Sequence, residues 1–133
     1  MACGKVLIID DDDDSLAYLS SIVGEAGYVV ETLSDGSKAL ARMQVEPPDM
    51  VFLDIQMPRM NGFQVLKVIR EAESLAEIPV VFLSAISSVT GEGYDPDTIQ
   101  ARYGVRPDGF MSKTIEPKAV REQLAAFVSS GLT

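Results

Sequence analysis

Met50-Val51-Phe52-Leu53-Asp54 is four apolar residues in a row closed by a carboxylate, and its reading decides the fold. A strand with one wet face alternates apolar and polar residues, so an unbroken run reads as a parallel strand covered on both faces. Val6-Leu7-Ile8-Ile9, closed by Asp10, and Val80-Val81-Phe82-Leu83, closed by Ser84, repeat the pattern on either side. Tyr28-Val29-Val30-Glu31-Thr32-Leu33 is more mixed and Gly109-Phe110-Met111-Ser112 is short, which places both nearer a sheet edge. Apolar residues recur at helical spacing between these runs: Leu16, Leu19, Ile22 and Val23, with Gly24 and Gly27 as end signals; Ala39, Leu40 and Met43; Phe63, Leu66 and Ile69; and Val120, Leu124, Phe127 and Val128. Ser87 to Pro96 is turn-rich and reads as a long loop, followed by a short helix over Asp97 to Tyr103 with Asp95 or Asp97 as its cap. Strand and helix alternate along the whole chain, which predicts a doubly wound α/β domain with a parallel sheet.

Composition narrows the function. The chain has 133 residues, 47% of them hydrophobic, which suits one core. Twenty acidic residues against eleven basic ones leave 20 − 11 = 9 net negative charges, which opposes binding to nucleic acid or to an anionic membrane. The absence of histidine excludes Ser-His-Asp and Cys-His catalysis and every His-ligated zinc or haem site. The single Cys3 cannot form an internal disulfide and fits a reducing cytoplasm. No apolar run approaches the roughly 18 residues of a membrane span. The expectation is one soluble, cytoplasmic domain over residues 1–133, with no output domain after its last helix.

In such sheets, sites form outside the carboxyl ends of the strands. Asp10 and Asp11 follow the first apolar run, Asp54 the third, Ser84 the fourth and Lys113 the fifth. Asp12, Asp13 and Asp14 suit the start of a helix, where the positive end of the macrodipole favours acids. Asp10, Asp11 and Asp54 are different, because crowded carboxylates call for a cation or protons. An oxygen-only donor set points to Mg²⁺, with Mn²⁺ as the other candidate, rather than zinc. An EF-hand fails, since Ser15 and Ser21 stand where its loop needs glycine and glutamate. Neither a P-loop nor a dinucleotide-binding glycine turn is present. The chemistry that fits is phosphoryl transfer onto a carboxylate. Asp54 would attack phosphorus, a metal at Asp10 and Asp11 together with Lys113 would offset charge, and Ser84 would bond a phosphoryl oxygen.

These residues resemble the receiver domains of two-component response regulators, over essentially the whole chain. Val6-Leu7-Ile8-Ile9-Asp10-Asp11-Asp12 is similar to the family's first strand and acidic pair. Leu53-Asp54-Ile55-Gln56-Met57-Pro58-Arg59-Met60-Asn61-Gly62 is similar to its phosphoacceptor loop, the more specific match, and Ile78-Pro79-Val80-Val81-Phe82-Leu83-Ser84-Ala85 to its fourth strand. The resemblance implies a flavodoxin-like five-stranded parallel sheet of order 2-1-3-4-5 with five helices. It implies that Asp54 accepts a phosphoryl group from a phosphohistidine on a sensor histidine kinase or histidine phosphotransfer protein. Mg²⁺ would be held by Asp11, Asp54, the backbone carbonyl of Gln56 and, through water, Asp10. Ser84 and Lys113 would contact the phosphoryl group, and Phe110 with Ser84 would form the switch. Gly62 is read as permitting a turn. Two departures stand out: Thr114 follows Lys113 where the family usually has proline, and 113 − 84 = 29 positions separate Ser84 from Lys113, longer than usual.

The function expected is that of a stand-alone receiver, a signalling switch whose own chemistry is limited to self-phosphorylation and autodephosphorylation. It would act as a monomer or a phosphorylation-dependent dimer on a downstream protein the sequence does not name. One alternative is a degenerate receiver acting as a constitutive protein-binding module. The other is an Mg²⁺-dependent aspartyl phosphatase built on Asp10-x-Asp12.

Overall fold

A computed structural model describes residues 4–55, 62–84, 104, 108–112 and 116–127. In chain order, β1 (Lys5–Ile9) leads to α1 (Asp13–Glu25), then β2 (Val29–Leu33), a 3-10 turn at Gly36–Lys38 and α2 (Ala39–Val45). Next come β3 (Met50–Asp54), α3 (Gly62–Glu71), a second 3-10 turn at Glu73–Leu75 and β4 (Val80–Ser84). Then follow β5 (Gly109–Ser112) and α4 (Pro117–Phe127). The strands form one sheet in the order β2-β1-β3-β4-β5, with every neighbouring pair parallel. The expected loop from Ser87 to Pro96 and the helix from Asp97 to Tyr103 lie outside the described residues, as does Val128.

The continuous apolar runs have a direct physical reason. Leu7, Ile9, Val51, Leu53, Val80 and Phe82 pack on one face with Ala39 and Met43 of α2 and with Phe63, Leu66 and Ile69 of α3. Val6, Ile8, Met50, Phe52, Val81 and Leu83 pack on the other with Leu19, Ile22 and Val23 of α1 and Val120 and Leu124 of α4. Successive side chains of one strand thus enter opposite cores, so neither set can be polar. β2, at the edge, keeps its mixed character, and Val29 there is 53% exposed. Leu75 in the second 3-10 turn is fully buried beside α3, a core residue the helical spacing does not reveal.

The end of α1 separates the roles of its two glycines. Gly27 has φ 101°, a left-handed conformation that costs a residue without Cβ little. Its N–H donates to the Gly24 carbonyl at 3.0 Å and that of Tyr28 to the Val23 carbonyl at 3.3 Å, the paired bonds that close a helix on a left-handed residue. Gly24 lies within the last turn of α1, and a Cβ there would meet nothing within 4 Å. Only Gly27 is the stop signal.

Ion pairs fasten the amino-terminal end of the sheet. Lys5 Nζ lies 2.7 Å from Glu31 and 2.9 Å from Glu46, and Arg42 of α2 pairs with Glu31 as well. On the far side, Arg70 at the end of α3 donates to the carbonyls of Ala76 and Ile78 at 3.1 and 2.7 Å and meets Asp108 at 2.6 Å. Asp108 also accepts the Val80 N–H at 2.8 Å, so one guanidinium ties α3, the start of β4 and the start of β5 together.

Candidate functional site

The opposite, carboxyl-terminal end of the sheet holds the acids. Asp10 continues the ladder one residue beyond β1, its N–H donating to the Leu33 carbonyl at 3.0 Å, and it is fully buried. Its Oδ1 accepts the Asp12 N–H at 2.9 Å, a local turn that Asp favours and that bends the chain out of the sheet into α1. Asp11 stands exposed at this bend. Asp12 is the residue before α1 and accepts the Ser15 hydroxyl at 2.9 Å, while Asp13 and Asp14 occupy the first turn. The acidic run therefore divides as expected, with its last three members serving the helix start.

Asp54 ends β3, is 2% exposed, and pairs in register with Leu83 of β4. The next residue, Ile55, donates its N–H to the Leu83 carbonyl at 3.1 Å and accepts the Gly62 N–H at 2.8 Å. Phe63 then packs edge-to-face on Phe82 with ring centroids 5.4 Å apart, which anchors the start of α3 over β4. β1 and β3 are neighbours at the point where the strand order reverses, the place where a doubly wound sheet opens a crevice. That adjacency gathers residues 44 positions apart in sequence. Carboxylate oxygens of Asp10, Asp11 and Asp54 all lie within 4.8 Å of one another.

Opposite corners of an octahedron with arms of ~2.1 Å stand ~4.2 Å apart, so small side-chain adjustments bring such a trio around one Mg²⁺. Two of the three carboxylates are buried and one, that of Asp11, is exposed. The donor set fits a hard divalent ion. Ser84 ends β4 at the same edge and pairs with Ser112 of β5, and Phe110 pairs with Phe82. Gln56 and Lys113 lie outside the described residues, as do Met57, Pro58, Asn61 and Thr114. What the sequence reading missed is Gly62, read as a turn. A Cβ there would stand 2.5 Å from the Asp54 carbonyl oxygen. Its one sequence signal is a glycine opening a helix eight residues after the acid.

The family model for the response regulator receiver domain matches residues 6–125. The chain is a response regulator receiver domain. Its receiver sequence is 40% identical over 126 residues to the transcriptional regulatory protein PrrA of Mycobacterium leprae, covering 95% of this chain and 53% of that protein. It is 34% identical over 131 residues to the hybrid signal transduction histidine kinase L of Dictyostelium discoideum, covering 96% of this chain and 7% of the kinase. The receiver fold superposes on the chemotaxis response regulator CheY4 of Vibrio cholerae with a TM-score of 0.78, at 28% identity, over 92% of this chain and 97% of that one. The receiver thus spans about half, or much less, of the curated relatives it matches. Among the described residues, no helix is long and apolar enough to cross a membrane.

Proposed function

We propose that this receiver takes a phosphoryl group onto Asp54 from a phosphohistidine on a sensor histidine kinase or histidine phosphotransfer protein, and that the modification changes which proteins it binds. The observation that supports this is the meeting of the Asp10, Asp11 and Asp54 carboxylates within 4.8 Å at one strand edge. Asp54 sits at the end of a fully buried central strand, so its attacking oxygen is held by the sheet, and positioning supplies much of such catalysis. One Asp54 oxygen forms a bond to phosphorus as the phosphorus–nitrogen bond to the partner's imidazole breaks. The electron pair of that bond leaves with the imidazole, which takes up a proton. The chain has no histidine, and in this reading it needs none, because the donor is on the partner.

Asp10, Asp11 and Asp54 would hold Mg²⁺ or Mn²⁺, with the Gln56 carbonyl as a further ligand. When bound, the cation supplies positive charge against the carboxylates and the phosphoryl oxygens. Asp10 arrives already oriented by the Asp12 N–H, and Asp11 keeps the exposed side. Ser84 and Lys113 receive the phosphoryl oxygens, and Ser84 with Phe110 forms the switch. These roles rest on the match of residue types to the family pattern. Hydrolysis of the acyl phosphate resets the chain, so its chemistry acts on itself, in the cytoplasm where phosphohistidine donors work. An aspartyl phosphatase built on Asp10-x-Asp12 gains no support from Asp12, which is exposed at the start of α1 and engaged with Ser15.

Incubation with Mg²⁺ and a small acyl phosphate should label the wild-type chain at Asp54, and chelation or Asp54→Ala should abolish the label. A full label on Asp54→Ala would overturn the proposal. A wild-type chain that never labels but binds the same proteins would be the constitutive module instead.

A further inference from the structure

We infer that Gly62 is a positioning residue for the phosphoacceptor: the lack of a side chain at the start of α3 lets this helix seat on the Asp54–Ile55 backbone and hold the Asp54 carboxylate against Asp10 and Asp11. The inference rests on the proposed transfer to Asp54 and adds the device that aims it. A Cβ at Gly62 would lie 2.5 Å from the Asp54 carbonyl oxygen, 2.8 Å from the Ile55 Cα and 3.2 Å from the Asp54 carbonyl carbon. All three are backbone atoms of a central strand and its first residue beyond, which cannot swing aside as the tip of a flexible side chain does.

The reason for glycine is close approach. Among the described glycines, positive φ is found at Gly4, Gly27 and Gly104 and not at Gly62, so an L-residue there meets no backbone penalty of the left-handed kind. Both bodies that would have to part are pinned. Ile55 is bonded to the Leu83 carbonyl at 3.1 Å and to the Gly62 N–H at 2.8 Å, and Phe63 is stacked edge-on against Phe82. Relief of a methyl at position 62 therefore either lifts the first turn of α3 or shifts the Asp54–Ile55 peptide. The second moves the phosphoacceptor relative to Asp10 and Asp11, and the first removes the Gly62–Ile55 bond that holds the residue after it. Gly24 provides the matched control, because the same added methyl meets nothing within 4 Å.

The test compares Gly62→Ala with Gly24→Ala, each measured for Mg²⁺ affinity by calorimetry and for the rate of Asp54 labelling by an acyl phosphate across Mg²⁺ concentrations. Gly62→Ala should lose about 10- to 100-fold in labelling rate while retaining native circular dichroism, since misplacing a reacting group by about 1 Å costs on that order. Gly24→Ala should label like wild type. A folded Gly62→Ala that labels at the wild-type rate overturns the role of Gly62 and leaves the proposed function standing. A wild-type chain that neither binds Mg²⁺ nor labels overturns both. A second measurement does not depend on the variant folding: in an amide-resolved Mg²⁺ titration of the wild-type chain, the Gly62 N–H should shift in step with those of Asp54 and Ile55. A Gly62 amide that stays still while Asp10 and Asp54 saturate also overturns it.

Discussion

The two ends of the sheet handle charge in opposite ways. At the amino-terminal end, Lys5, Glu31, Arg42 and Glu46 form a closed set of ion pairs, and Arg70 with Asp108 forms another. At the carboxyl-terminal end, Asp10, Asp11 and Asp54 bring three carboxyl groups together, with oxygens within 4.8 Å of one another. The first arrangement is what a fold does with charge when only stability matters. Three carboxylates this close repel one another when ionised, which a divalent cation would relieve. The comparison predicts that removing charge has opposite signs at the two ends.

The largest effect on folding should come from Arg70→Ala. Arg70 is 17% exposed at its side chain, and its loss strips donors from the carbonyls of Ala76 and Ile78 and the guanidinium from Asp108, which keeps the Val80 N–H. Urea denaturation should show a loss of about 2–3 kcal/mol, with Mg²⁺ affinity unchanged. A fall in Mg²⁺ affinity would break the separation of the two ends. Asp10→Asn should act in the other direction. Asparagine keeps an oxygen to accept the Asp12 N–H while removing one of the three charges, so stability in metal-free buffer should rise by about 1–2 kcal/mol as Mg²⁺ binding weakens. A loss of stability on that substitution would contradict this repulsion.

Acid should also tell the ends apart. The Lys5 ammonium bonded to Glu31 holds that carboxyl below its ordinary value of 4.5; burial opposes this and Arg42 reinforces it. The folded state therefore binds fewer protons than the unfolded one, and this contribution is whole above about pH 4.5 and is lost as pH falls through the folded value. Lys5 behaves conversely. Burial disfavours its charge, but the bonds to Glu31 and Glu46 prevail and raise it above 10.5, so its contribution is whole below that value and fades as pH rises through the folded one. Glu31→Gln should flatten the loss of stability below about pH 4.5 in a pH series of denaturation curves, and an unchanged slope would remove Glu31 from the account. The smallest effect belongs to Gly24→Ala, a gain of about 0.5–1 kcal/mol from helix propensity alone, read as a rise in melting temperature.

What was legible in the sequence follows from how local each cause is. The buried strands announced themselves because burial on two faces forbids polar residues, and the acids because strand ends are where polarity returns. Asp10, Asp11 and Asp54 could be joined on paper since a doubly wound sheet gathers its sites outside the carboxyl ends of its strands, and the order that sets β1 beside β3 came with the family resemblance. The ion pairs were not legible, because Arg70 and Asp108 stand 38 positions apart and meet only once α3 and β5 are packed. Gly24 and Gly27 looked alike in the sequence, and only the backbone turn after Glu25 tells them apart. Gly62 was read as a turn, whereas it opens α3 without a positive φ, and its close approach was not legible because it depends on how α3 leans on β3. Ser84 and Phe110 stand on the strands expected of them.

The central claim, that the carboxyl-terminal acids form a cation site centred on Asp54, is tested most directly by melting wild-type chain and Asp54→Asn over a Mg²⁺ series. Wild type should start lower in metal-free buffer and climb with Mg²⁺, by about 2.7 kcal/mol of binding linkage at a hundredfold excess over its dissociation constant. Asp54→Asn should start higher and climb little. Parallel curves for the two chains, rising equally or not at all, would contradict it.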